Sequence, residues 1–126
     1  MNGRSALVVD DDTQILKLIK VNLEARGFDV TVALDGESAL DLFEQSVPDI
    51  VLLDITLPGI NGIQVCHRIR QRSNVPIIMV SANIAEKAYT VALNAGANDY
   101  VSKPFTIDDL LAHINAWLPY KDVNVT

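Results

Sequence analysis

The runs "IVLL" (50–53) and "IIMV" (77–80) are apolar at every position, so a sheet containing them must be covered on both faces. They belong to a regular alternation along the chain. "ALVV", "FDVTVA", "DIVLLD", "PIIMV" and "DYV" have strand character. Between and after them, "TQILKLIKVNLEARG", "GESALDLFEQS", "NGIQVCHRIRQRS", "NIAEKAYTVALNAG" and "TIDDLLAHINAWL" have helical period. Five strand-helix units in order, joined by right-handed crossovers, predict an open, doubly wound α/β sheet with all strands parallel.

Helix punctuation agrees. Asp12 or Thr13, Asn83 with Glu86, and Thr106 with Asp109 are placed as N-caps; Gly27 and Gly96 stand at C-terminal caps, and Pro119 stops the last helix. In the first helix Ile15, Leu16, Ile19 and Leu23 form one apolar stripe, with Lys17, Lys20 and Glu24 facing out. The predicted fold is a single flavodoxin-like (βα)5 domain with a parallel five-stranded sheet in the order 2-1-3-4-5. With 126 residues, 49% of them hydrophobic, the chain has one good core and no room for a second. Residues 1–118 are assigned to the domain. The polar stretch 119–126 lacks periodicity and reads as a tail or the start of a linker to an output domain.

Charge and cysteine content narrow the setting. Ten Lys and Arg against 16 Asp and Glu, a net charge of −6, argue against direct nucleic-acid binding by this domain. The single Cys66 cannot form an internal disulfide, and the chain shows neither a signal peptide nor a long apolar run. A cytoplasmic protein without a membrane role is expected. Cys66 reads as helix packing, His67 and His113 as surface residues, and Trp117 as an edge of the core.

In a 2-1-3-4-5 sheet the crevice lies at the carboxyl ends of strands 1 and 3. Asp10 and Asp11 follow strand 1, Asp54 follows strand 3, Ser81 strand 4 and Lys103 strand 5. Two carboxylates about 4 Å apart repel by roughly 4 kcal/mol at an effective dielectric near 20, so converging aspartates need a cation. Mg²⁺ suits an all-oxygen set and leaves room for a phosphate oxygen, and Lys103 and Ser81 would complete a phosphoryl site. The P-loop and dinucleotide glycine patterns are both absent, which disfavours nucleotides. One carboxylate could instead be a nucleophile that forms an aspartyl phosphate; spacing alone does not say which.

Four segments together, "LVVDDD", "DIVLLDITLPGINGIQV", "PIIMVSA" and "GANDYVSKPF", resemble the receiver domain of two-component response regulators over residues 5 to 118. The resemblance implies that Asp54 accepts a phosphoryl group from a sensor histidine kinase or phosphotransfer protein. It implies Mg²⁺ held by Asp11, Asp54 and the Thr56 backbone carbonyl, with Asp10 acting through water, and phosphoryl oxygens gripped by Lys103 and Ser81. The peptide bond before Pro104 would be cis. Ser81 and Tyr100 match the switch pair that remodels the face of helix 4, strand 5 and helix 5 toward an output domain, a target protein or a second copy. Thr56 and Asn83 match positions flanking the attacking water and would set the rate of dephosphorylation. Such a domain catalyses only its own phosphorylation and dephosphorylation, and is a switch rather than an enzyme.

Asn61 stands where many relatives have Asp and still suits a helix cap. His113, Asn115 and Pro119 stand where basic residues of dimerising DNA-binding relatives are expected, which counts against that type of dimer. Two other readings are a haloacid-dehalogenase-type phosphatase, with Asp10 as nucleophile and Asp12 as acid/base, and a pseudo-receiver used only for docking. Gln14 stands where the phosphatase motif wants Thr, and Asp10, Asp11, Asp54, Ser81 and Lys103 are all present against the second.

Overall fold

The computed structural model describes residues 4–82 and 86–118. Among the described residues ten elements alternate: β1 (Ser5–Val9), α1 (Thr13–Glu24), β2 (Asp29–Ala33), α2 (Gly36–Gln45), β3 (Ile50–Leu53), α3 (Gly62–Arg70), β4 (Ile77–Ser81), α4 (Glu86–Asn94), β5 (Asp99–Ser102) and α5 (Ile107–Trp117). All strand pairs are parallel and the order is β2-β1-β3-β4-β5, as the pattern predicts.

Period-two alternation splits the strands between two cores. Leu7, Val9, Val51, Leu53, Ile77 and Met79 meet Phe43, Val65, Ile69 and Ala92 of α2, α3 and α4 on one face. On the other, Ala6, Val8, Ile50, Leu52, Ile78, Val80 and Val101 meet Leu16, Ile19 and Leu23 of α1 and Leu110 and Ile114 of α5. β3 and β4 are buried along their whole length, which is why their sequences show no polar alternation.

Four helices start at side-chain caps, which satisfy otherwise orphaned N–H groups. Asp12 accepts from the N–H groups of Gln14 and Ile15, Asp35 from Ser38 and Thr106 from Asp109. Asn61 and Gln64 form a reciprocal capping box at α3. The expected Asn83 cap, the Pro119 stop and the tail 119–126 lie outside the described residues.

Helix α3 ends three residues before the expected Ser73. There the N–H groups of Arg72 and Ser73 share the Ile69 carbonyl, and the Arg70 guanidinium takes the carbonyls of Ser73, Val75 and Gly96. Arg70 thereby ties the end of α3 to the loops before β4 and β5. His113 is not a plain surface residue. Its Nδ1 lies 2.6 Å from Asp99 Oδ2, which also accepts from the Trp117 indole N–H at 3.1 Å. A carboxylate only accepts, so Nδ1 carries the hydrogen. Trp117 itself is 39% exposed, outside the core rather than at its edge. Among the described residues, no helix is long and apolar enough to cross a membrane.

Candidate phosphoryl and metal site

Each site residue continues a strand by one step. The Asp10 N–H donates to the Ala33 carbonyl, the Asp54 N–H to that of Val9, and the Lys103 N–H to that of Ser81, at 3.1, 3.0 and 2.9 Å. The ladder thus delivers residues distant in sequence to one rim of the sheet.

Asp10 and Asp54 are 2% and 5% exposed, so their charges need nearby compensation. The Lys103 Nζ lies 2.7 Å from Asp10 Oδ2 and 2.9 Å from Asp54 Oδ2 and donates to both. The remaining oxygens accept backbone N–H groups, Asp10 Oδ1 from Asp12 and Asp54 Oδ1 from Thr56. The expected cis bond is present between Lys103 and Pro104. The third carboxylate of the Asp10–Asp12 run, Asp12, caps α1 and is committed there.

Exposed Asp11 joins the two buried aspartates: one oxygen from each of Asp10, Asp11 and Asp54 lies within 4.8 Å of the others. At that spacing each ionised pair repels by about 3.5 kcal/mol at an effective dielectric of 20. Three carboxylates against one ammonium leave a net charge of −2. Hard oxygen donors with that deficit fit a hard divalent cation such as Mg²⁺.

Burial pushes the Asp10 carboxyl above its usual range; the Lys103 and Asp12 hydrogen bonds pull it back only in part, and the Asp54 charge adds to the rise. For Lys103, burial acts to lower the ammonium, but its bonds to Asp10 and Asp54 and their charges outweigh that and hold it above the ordinary lysine range.

Ser81 is fully buried, and its side chain hydrogen-bonds the phenol of half-buried Tyr100 on the neighbouring strand. Burial raises the Tyr100 hydroxyl; the Ser81 bond opposes this and the Asp54 charge adds to it. Gly62 has a structural reason at the same rim: a β-carbon there would lie 2.1 Å from the Asp54 carbonyl oxygen and 2.7 Å from the Ile55 Cα. Only glycine lets α3 start this close to the Asp54 backbone.

The structure therefore brings Asp10, Asp11, Asp54 and Lys103 into one cluster and joins Ser81 to Tyr100. Thr56 sits exposed on the rim, in contact through its N–H. Asn83 lies outside the described residues. Sequence reasoning missed the Asp99–His113–Trp117 group, although the i, i+4 spacing of His113 and Trp117 on α5 was a visible signal. It also missed Tyr89, whose ring lies against Tyr100. Nothing in the local pattern points from α4 to β5.

The response regulator receiver domain family matches residues 6–115. Among solved structures, the receiver domain of a Francisella response regulator is 36% identical, with 91% of this chain and 96% of that one covered and a TM-score of 0.85. A CheY-like receiver domain protein from Methanospirillum hungatei JF-1 is 33% identical over 93% and 94% of the two chains, with a TM-score of 0.88. The BeF3-activated N-terminal receiver domain of Klebsiella pneumoniae RstA is 31% identical over 92% and 99%, with a TM-score of 0.87. A strand order, a rim of carboxylates and a family match over most of the chain converge on one conclusion: this chain belongs to the response regulator receiver domains of two-component systems.

Proposed function

We propose that this receiver accepts a phosphoryl group on Asp54 from a phosphohistidine donor, in a Mg²⁺-dependent reaction, and transmits the change through the face of α4, β5 and α5. The observation that carries the proposal is the Asp54 carboxylate itself: buried, oriented by the Thr56 N–H, bonded to Lys103, and beside two further carboxylates.

In the reaction an Asp54 oxygen attacks phosphorus, the bond from phosphorus to the donor imidazole breaks, and the imidazole leaves with a proton. The Lys103 ammonium follows the charge onto the phosphoryl oxygens, and the Ser81 hydroxyl donates to one of them. Asp11, Asp54 and the Thr56 carbonyl would hold Mg²⁺ directly, with Asp10 acting through water. When bound, the ion offsets the negative charge gathered on the carboxylates and the phosphoryl oxygens. By the family resemblance, Thr56 and Asn83 govern access of the hydrolytic water and set an intermediate lifetime for the phosphorylated state.

The phosphoryl charge then favours one member of a pre-existing conformational pair through Ser81 and Tyr100. The BeF3-activated state of the Klebsiella pneumoniae receiver supports a comparable response here. The partners are a sensor histidine kinase or phosphotransfer protein on the input side, and an output domain, target protein or second copy on the other. The working unit is residues 1–118, with 119–126 as tail or linker, in the cytoplasm. It modifies only itself and is a switch rather than an enzyme.

The test is phosphoryl uptake from phosphoramidate, a small donor with a phosphorus–nitrogen bond, followed by intact mass. Wild type should gain one phosphoryl group only with Mg²⁺, and Asp54→Asn should gain none. A phosphatase using Asp10 and Asp12 would instead turn over with Asp54→Asn. The Asp12 cap on α1 already counts against that chemistry.

A further inference from the structure

A groove of about 350 Å³ runs between α2 and α3. Its floor is apolar, with Phe43 and Ile69 buried in the core and Leu40 packed against it. Its walls carry opposite charge: Asp41 and Glu44 stand on α2, Arg68 and Arg72 on the α3 side, and all four are exposed. At one end Arg72 bonds Glu44 across the groove. Asp41 and Arg68 line the same groove, yet among the described residues neither makes an ion pair or a side-chain hydrogen bond.

Local helix physics does not ask for the acidic wall. The last turn of a helix favours cations, but Glu44 lies in the last turn of α2 and Asp41 just before it. The basic residues at the end of α3 obey that rule, so the acidic wall is the feature to explain. Arg72 accounts for Glu44. Among the described residues nothing accounts for Asp41.

The heights of these charges along the groove suggest what does. Helices α2 and α3 follow parallel strands and pack on one face of the sheet, so they run the same way. With Arg72 level with Glu44, a step back of about one turn along each helix brings Arg68 level with Asp41. A two-fold axis along the groove lays α2 of one copy over α3 of the other and keeps every residue at its height. Asp41 of each copy then meets Arg68 of the other. A two-fold axis across the groove would instead stack α2 on α2, acid on acid. The surface is therefore complementary to itself in one arrangement, as an isologous pair requires.

We propose that the α2–α3 groove docks a second copy of this chain, held by Asp41–Arg68 pairs between the copies. The charged ends of both helices point away from the rim that carries Asp54, and α4, β5 and α5 take no part. The pairing thus leaves the phosphoryl site and the output face open and does not wait for phosphorylation. A small contact built on exposed ion pairs belongs at the weak end of interfaces, with a dissociation constant of about 0.1 mM.

The experiment is sedimentation equilibrium of the full, unphosphorylated chain at up to about 1 mM, ten times that constant. Wild type should show a monomer–dimer equilibrium at low salt, weakened about tenfold or more in about 0.5 M salt. Arg68→Glu and Asp41→Arg should each weaken dimerisation by at least about tenfold, because symmetry turns two attractions into two repulsions. Mixed in equal amounts, the two variants should pair to within about threefold of wild type, since each supplies the charge the other lacks. A defect within one chain would not be rescued by mixing. A wild-type monomer at the highest concentration overturns the proposal and leaves the groove to a protein of another sequence. A dimer that survives both single variants overturns it and places the interface elsewhere, and a mixture that stays monomeric overturns it too.

Discussion

Replacing Lys103 by Met removes the ammonium while keeping most of the aliphatic stem, and tests whether one cation holds the buried carboxylates. At 2.7 and 2.9 Å, each Lys103 contact supplies about 6 kcal/mol of Coulomb attraction at an effective dielectric of 20, against about 3.5 kcal/mol of repulsion between Asp10 and Asp54. Most of that gross attraction offsets the desolvation of three groups whose side chains are 16%, 3% and 6% exposed. What removal exposes is the uncompensated charge, a loss of about 3 to 5 kcal/mol. Asp10 can escape part of it by taking up a proton, because its carboxyl is already raised by burial. The expected loss is therefore about 3 kcal/mol at pH 7.5 without Mg²⁺, shrinking as pH falls toward 5. Urea unfolding of both proteins, with and without millimolar Mg²⁺, measures it. Mg²⁺ should stabilise Lys103→Met more than wild type, by about 1 to 1.5 kcal/mol if loss of the competing ammonium tightens binding about tenfold. A loss below about 1 kcal/mol at pH 7.5, or equal stabilisation by Mg²⁺, would refute this electrostatic account.

Asp10→Asn should raise the urea midpoint at pH 7.5 in the absence of Mg²⁺. A carboxyl raised in the folded state binds its proton more tightly there than when unfolded, so ionisation costs stability as pH rises through its range, and the cost persists to neutral pH. The advantage should vanish below the ordinary aspartate value of 3.8, and stabilisation by Mg²⁺ should weaken. Asn61→Ala removes a reciprocal cap and should lower stability by about 1 to 2 kcal/mol in the same assay. Gly62→Ala puts a methyl group against the Asp54 backbone and should cost about 3 kcal/mol while impairing phosphoryl uptake; normal uptake would show that the Asp54 position tolerates the shift.

The sheet order was legible because the strands' hydrophobic character and the helix periods repeat cleanly, and few topologies satisfy right-handed crossovers. Helix starts at Asp12, Asn61 and Thr106 were legible because a cap is a local interaction. The end of α3 was not: it depends on Arg70 reaching carbonyls as far away as Gly96, and a helical period says nothing about that. The convergence of Asp10, Asp11, Asp54 and Lys103 follows from strand ends alone, whereas their roles came from family resemblance. Spacing could show that a cation was needed but could not show which oxygen attacks. The spacing of His113 and Trp117 showed a shared face of α5 but not that Asp99 is its partner, and the Tyr89–Tyr100 contact left no local signal, because each joins a helix to a strand and no linear pattern encodes that pairing.

Which carboxylate carries the phosphoryl group decides how the site works. Treating the protein with phosphoramidate and Mg²⁺, then with borohydride, reduces an acyl phosphate to the alcohol and leaves homoserine in place of aspartate, which peptide mass spectrometry can place in the chain. Homoserine at position 54, absent without Mg²⁺ or without the donor, is the predicted result. Homoserine at position 10 or 11 with position 54 intact would contradict the assignment of Asp54 as the acceptor.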